Sequence, residues 1–200
     1  MEYIETEVKF HLTDVEPVRN TIINLGADSK GRVFETNLRY ENKNNDLIKN
    51  KSLLRLRKDT KTTLTFKSGL ESEDNEFKSL RELEVEVSEF NRMKLILEAI
   101  GFHQEQIYEK YRETLILNGA TLCIDAMPFG NFLEIEGEKH VITNLAKKIG
   151  LDWSERITLN YLELFERLKK ELNLPFSDVT FTNFEPIEID LKNYPHLFHN

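Results

Sequence analysis

Glu5-Thr6-Glu7-Val8-Lys9 places two acids and a base on alternate positions, with apolar Ile4, Val8 and Phe10 on the other parity. In an extended strand alternate residues share a face, so Glu5, Glu7 and Lys9 project together at steps of roughly 7 Å. That face sets a carboxylate pair beside an ammonium group. Hard cations such as Mg²⁺ and Mn²⁺ take oxygen ligands and commonly bridge a protein to a phosphate chain, which the ammonium would also attract. A half-solvated antiparallel strand is likewise charged on one face and apolar on the other, so the triplet alone leaves both readings open.

The same sorting recurs along the chain. Arg55 and Arg57 oppose Leu54 and Leu56, and Thr63, Thr65 and Lys67 oppose Leu64 and Phe66. Glu82, Glu84 and Glu86 oppose Leu83, Val85 and Val87; Lys110 and Arg112 share a face. Cys123 and Asp125 oppose Leu122, Ile124 and Ala126, and Glu134 and Glu136 oppose Leu133 and Ile135. Solvated strands usually mix signs so that cross-strand neighbours pair, whereas these faces are sorted by sign. If the sheet closes with its apolar faces outward beneath helices, the charged faces line a lumen. Lys9, Arg55, Arg57, Lys67, Lys110 and Arg112 would then bind a polyanion and its metal, with Arg contacts suited to phosphoryl oxygens.

The elements that must position these residues follow from periodicity. Alternation predicts strands over residues 4–12, 32–41, 53–58, 62–67, 80–87, 107–117, 121–127 and 132–138. Three- and four-residue spacing predicts helices over 15–25 after Asp14, 90–100 after Ser88, 143–149 before Gly150, and 159–172 before Pro175. Pro128-Phe129-Gly130-Asn131 reads as a hairpin turn, and 42–50 and 71–75 read as polar loops. About eight strands with few helices make an α+β fold in which the sheet closes into an antiparallel barrel, since closure removes sheet edges. Residues 1–174 are expected as one domain and 175–200 as a C-terminal extension, whose Phe176, Phe181, Phe184, Tyr194 and Phe198 pack against the domain or cover a tunnel mouth.

Two hundred residues, 40% hydrophobic and 31% charged, suit a globular domain with a substantial core. The single Cys123 forms no internal disulfide, and no apolar run reaches the length of a membrane span, so a soluble, cytoplasmic setting without membrane association is expected. A net charge of −8 argues against DNA as a partner. Phosphate binding must come from cations concentrated locally inside an acidic molecule. His11, His103, His140, His196 and His199 show no metal-ligand spacing, and no Walker or dinucleotide glycine loop is present.

The opening ExExK, Leu-Arg-Leu-Arg at 54–57, Leu64-Thr65-Phe66-Lys67, the Glu-rich 82–86, Lys110-Tyr111-Arg112 and Phe132-Leu133-Glu134-Ile135-Glu136-Gly137 together resemble the CYTH superfamily, the triphosphate tunnel metalloenzymes. The resemblance runs from Met1 to about Leu168 in the expected order. It implies a closed eight-stranded tunnel and a catalytic Mg²⁺ or Mn²⁺ held by Glu5, Glu7 and Glu136. Glu134 and Asp125 would assist metal or water, and Glu82, Glu84 and Glu86 would hold a second metal or pair with basic residues. Lys9, Arg55, Arg57, Lys67, Lys110 and Arg112 would bind the triphosphate.

Three functions compete. The first is metal-dependent hydrolysis of a linear triphosphate, whether inorganic tripolyphosphate, a nucleoside triphosphate or thiamine triphosphate, by a monomer or homodimer. The second is a class IV adenylyl cyclase making cyclic AMP and pyrophosphate. The third is a polyphosphate-binding module without turnover, which retention of Glu5, Glu7 and Glu136 disfavours.

Overall fold

A computed structural model describes residues 4–70 and 76–198. The polar loop expected over 71–75, and His199, lie outside the described residues. The described residues form eight strands: β1 (Ile4–Leu12), β2 (Asp28–Asn42), β3 (Ser52–Lys58), β4 (Thr62–Gly69), β5 (Lys78–Glu86), β6 (Phe102–Leu117), β7 (Ala120–Met127) and β8 (Gly130–Glu136). All neighbours are antiparallel, and the order β1-β5-β4-β3-β2-β6-β7-β8 returns to β1, closing the ring. Asn118 and Gly119, both at positive φ, form the two-residue turn between β6 and β7 that the right-handed twist of a hairpin favours.

Among the described residues six α-helices accompany the ring: α1 (Val15–Asn24), α2 (Asp46–Lys49), α3 (Phe90–Ala99), α4 (Lys139–Ile149), α5 (Tyr161–Leu172) and α6 (Phe181–Phe184). The outward apolar faces of β1, β6, β7 and β8 pack under α1 and α4, where Val8, Leu115, Leu122 and Ile135 meet Ile22, Ile142 and Leu145. Leu38, Tyr40, Leu54 and Leu56 from β2 and β3 pack beneath Leu97 of α3. Strands other than β5 therefore commit outward apolar residues to these clusters and turn their other parity inward, whereas Leu83 and Val85 on the outer face of β5 are exposed.

α5 does something else. Asn160 and Glu163 form a reciprocal capping box at its start, fixing where the helix enters. Its buried Tyr161, Leu164, Phe165 and Leu168 pack against Met127, Phe129 and Phe132 at one end of the ring, together with Leu174, Val179, Phe184, Leu191, Leu197 and Phe198. Two backbone bridges attach this plug, Lys9 to Ile157 and Tyr108 to Val179. Leu191 sits where Gly130 has no side chain, since a Cβ there would lie 2.5 Å from Leu191 Cδ1.

Element ends shift from expectation, most in β2, which starts at Asp28 rather than 32, and β6, which starts at Phe102 rather than 107, and three further differences stand out. The expected loop at 42–50 contains α2, because buried Glu41 accepts hydrogen bonds from the backbone N–H groups of Asn42, Leu47 and Ile48. α4 begins at Lys139 rather than 143, so that Val141 and fully buried Ile142 of its first turn join the apolar face. β5 begins at Lys78, which carries a further cation into the lumen.

Candidate functional site

Side-chain parity is preserved over the stretches that carry the site, the β2–β6 irregularities falling at Ser29/Arg32 and Arg39/Tyr40, so the register decides which inward residues meet. Glu7 lies opposite Glu136 and Lys9 opposite Glu134 on β8, while Glu5 lies one step along the same face of β1. Glu5, Glu7 and Glu136 offer carboxylate oxygens all within 4.8 Å of one another. Oxygens around one divalent ion lie up to about twice the metal–oxygen distance of roughly 2.0–2.6 Å apart, so the three fit a single hard cation. Burial, then the charges of Glu134 and Glu5, pushes the Glu136 carboxyl well above the usual range, and burial raises Glu5 despite Lys67. Crowded carboxylates of this kind are what a divalent ion would relieve.

Cations surround this acidic pole. Lys67 pairs with Glu5 and, at 3.1 Å, with Glu82; Lys9 pairs with Glu7 and, at 2.8 Å, with Glu134. Lys78, which lies outside the strand expected from the sequence, approaches Glu7 at 3.5 Å. Glu134 would be raised by burial, but Lys9, Arg112 and Lys110 hold its carboxyl well below the ordinary range. Arg112 donates to Glu134 at 2.9 Å and forks onto Asp125 at 2.7 and 2.6 Å, with Lys110 at 3.1 Å from the same carboxylate. Asp125 is fully buried among these donors, placed to hold Arg112 and Lys110 in position rather than to join Glu5, Glu7 and Glu136.

Arg55 and Arg57 project from β3. Arg55 donates to Thr65 at 3.2 Å and lies 3.9 Å from Glu82 and 3.8 Å from Glu84, while Arg57 lies 3.7 Å from Glu84 and 3.1 Å from Asp59. Glu84 thus faces the arginines, and Glu86 is exposed beside Lys61 at 3.5 Å. Neither joins the three-carboxylate cluster. Glu5, Glu7, Lys9, Arg55, Arg57, Lys67, Lys110, Arg112, Glu134 and Glu136 all line one cavity of about 2120 Å³.

Sequence reasoning missed several lumen groups. On β2, Glu35, Asn37 and Arg39 alternate inward, and Gln106 and Tyr108 oppose them on β6. Their parity was legible, but a mixture of acid, amide and base on β2 carries no single sign to notice. Tyr161 of α5 was also missed: its hydroxyl donates to Asp125 at 2.7 Å, and its ring lies 5.3 Å from the Lys9 ammonium and 5.2 Å from that of Lys110. Burial beside Asp125 and Glu134 holds its phenol well above the usual pKa. Cys123 lies within ligand distance of Glu134 and Glu136, but burial keeps its thiol protonated. His103, His140 and His196 are exposed, and His11 stacks on Phe198 at the plugged end.

Residues 3–168 match the CYTH domain family model, a span that ends within α5. No curated protein matches the sequence. The PH1012 protein of Pyrococcus horikoshii is 27% identical with a TM-score of 0.68, over 78% of this chain and 96% of that one. A Vibrio parahaemolyticus protein described as a proposed adenylate cyclase is 16% identical with a TM-score of 0.72, over 83% and 99%. A proposed adenylyl cyclase of Hippeastrum, described as having a dominant triphosphatase activity, is 18% identical with a TM-score of 0.58, over 84% and 96%. At these identities the last two share the fold. No described helix is long and apolar enough to cross a membrane.

Proposed function

The chain belongs to the CYTH family, and from that premise we propose that it is a divalent-metal-dependent enzyme that hydrolyses a phosphoanhydride of a linear triphosphate inside the tunnel. The observation that carries this reading is the approach of Glu5, Glu7 and Glu136 to within 4.8 Å in a lumen that also gathers Lys9, Arg55, Arg57, Lys67, Lys110 and Arg112.

Glu5, Glu7 and Glu136 would hold the metal, Mg²⁺ or Mn²⁺. A bound divalent ion supplies Lewis-acid activation of phosphoryl oxygens and a lowered water pKa. The chain supplies the rest. Lys9 and Lys67 stand beside the acidic pole and neutralise phosphate oxygens there. Arg112 and Lys110, braced by Asp125 and Tyr161, present fixed charge that needs no reorganisation as negative charge develops on the departing phosphate. Arg55 and Arg57 take the oxygens farther along. Glu134, kept ionised by Lys9, Arg112 and Lys110, would orient an attacking water beside the acidic pole.

Hydrolysis is preferred to cyclisation because these charges engage only what all linear triphosphates share, and strong selection of one base needs groups dedicated to it. Purified protein with Mg²⁺ or Mn²⁺ is incubated separately with ATP, thiamine triphosphate and tripolyphosphate, and products are identified by mass. Orthophosphate release from tripolyphosphate is expected. Cyclic AMP and pyrophosphate from ATP with tripolyphosphate untouched overturns hydrolysis in favour of the cyclase, and binding without turnover leaves the polyphosphate module.

A further inference from the structure

Glu35 is an acid placed in the cationic half of the lumen. It shares the inward face of β2 with Asn37 and Arg39, and the register sets it directly opposite Lys110 on β6. The side chain is 2% exposed, with Oε2 lying 3.7 Å from the Lys110 ammonium and accepting no hydrogen bond among the described residues. Burial raises such a carboxyl, but Lys110, Arg112, Arg57 and Arg55 together bring it down to about 2, so it is ionised at any ordinary pH. Neither β6 cation depends on it for a partner: Lys110 and Arg112 both reach Asp125, at 3.1 and 2.6 Å. It is also apart from the cluster of Glu5, Glu7 and Glu136.

A buried carboxylate held among cations, with an oxygen that accepts no hydrogen bond, acts chiefly through its charge. Without a ligand it offsets repulsion among Lys110, Arg112, Arg55 and Arg57, and with one it repels the phosphate oxygens those cations attract. We propose that Glu35 is a built-in counter-anion of the cage and a specificity-determining residue, which weakens binding of phosphate chains and penalises longer chains more than shorter ones. The length dependence follows from position. Glu5, Glu7 and Glu136 stand on β1 and β8, whereas Glu35 stands on β2, opposite β1 in the ring order and between the cation-bearing strands β3 and β6, so a longer chain held by those cations brings more negative charge within its reach. The inference rests on the reading of the cage as a phosphate site.

The test is calorimetric titration of metal-free protein, in chelator, with pyrophosphate, tripolyphosphate and tetrapolyphosphate, alongside thermal denaturation without ligand. Glu35→Gln removes the charge at nearly constant shape. It is expected to tighten tripolyphosphate binding about tenfold, from one unit charge at intermediate dielectric, with a smaller gain for pyrophosphate and a larger one for tetrapolyphosphate. The ligand-free melting temperature should fall at the same time. Affinity that is unchanged or weakened, a gain that is equal for all three anions, or an undiminished melting temperature overturns the assignment. Should Glu35→Gln not fold, Glu35→Asp withdraws the charge by one methylene and should tighten tripolyphosphate binding at least about twofold, any lower affinity than wild type overturning the proposal. If wild-type protein binds none of the three anions, the phosphate reading of the cage itself fails. If it binds them and the Glu35 variants bind no tighter, only the role given to Glu35 fails.

Discussion

At the scale of single residues, the lumen separates groups that would bind a metal from groups that would bind phosphate by what each carboxylate touches. Glu7 sits opposite Glu136 and is 4% exposed, so Glu7→Gln changes ligand charge with almost no change of volume. Metal-dependent turnover should fall at least about a hundredfold while the circular dichroism spectrum is retained; full activity at ordinary metal concentration would remove Glu7 from the mechanism. Glu35 gives a pH-dependent stability. Its carboxyl has an ordinary value of 4.5 and is brought down to about 2 by Lys110, Arg112, Arg57 and Arg55 against the upward push of burial. A depressed carboxyl stabilises fully above its unfolded pKa, and the contribution is lost as pH falls toward the folded value. The melting-temperature gap between wild type and Glu35→Gln should therefore be widest near pH 7 and shrink by pH 3. A gap that widens on acidification would contradict the sign. The acids of β1 and β8 were legible from alternation alone. Glu35 and Tyr161 were not, because their significance lies in contacts with strands far away in sequence.

At the scale of elements, strands present charge to the lumen where the opposite parity is apolar and buried beneath helices; β5 does so with Leu83 and Val85 left exposed, and β2 does so with mixed polarity. α5 is the exception, since it closes an end rather than covering a face. Phe165 is fully buried there, within 6.3 Å of Phe176 and 6.1 Å of Phe184 between ring centroids. Phe165→Ala removes a large side chain at the junction of α5 and the extension and should cost about 3–5 kcal/mol in denaturant unfolding. A loss below about 1 kcal/mol would mean the extension is not packed as described. The periodicity of 159–172 announced a helix, but nothing in it told a face-covering helix from an end-plugging one. Beyond Phe176 the apolar residues are irregularly spaced because they answer to pockets on α5 and the β7–β8 hairpin, as Leu191 does at Gly130.

For the whole molecule, an excess of negative charge encloses a concentration of cations. Like charges gathered in one cavity oppose folding, and an anion that binds only the folded chain offsets that cost by linkage. Tripolyphosphate at a hundredfold excess over its dissociation constant should raise unfolding stability by about 2.7 kcal/mol, read as an upward shift in melting temperature. The shift should shrink as salt rises, since screening weakens the attraction. No shift at saturating tripolyphosphate in low salt would contradict a phosphate-binding lumen.

Alternation along single strands was enough to set the approximate strand count, the sign of most charged faces and the expectation of a closed sheet, because parity is a local property of extended backbone. That Glu5, Glu7 and Glu136 share one point was only an expectation of the resemblance, since about 130 residues separate the first from the last. Register and closure decided it, bringing β8 alongside β1 so that Glu136 faces Glu7. The pairing of β2 with both β3 and β6 put Glu35 beside their cations, and the packing of α5 at one end of the ring carried Tyr161 onto Asp125. Side-chain direction is written into each segment; which segments become neighbours is settled only when the ring closes and its outer faces find helices to bury them.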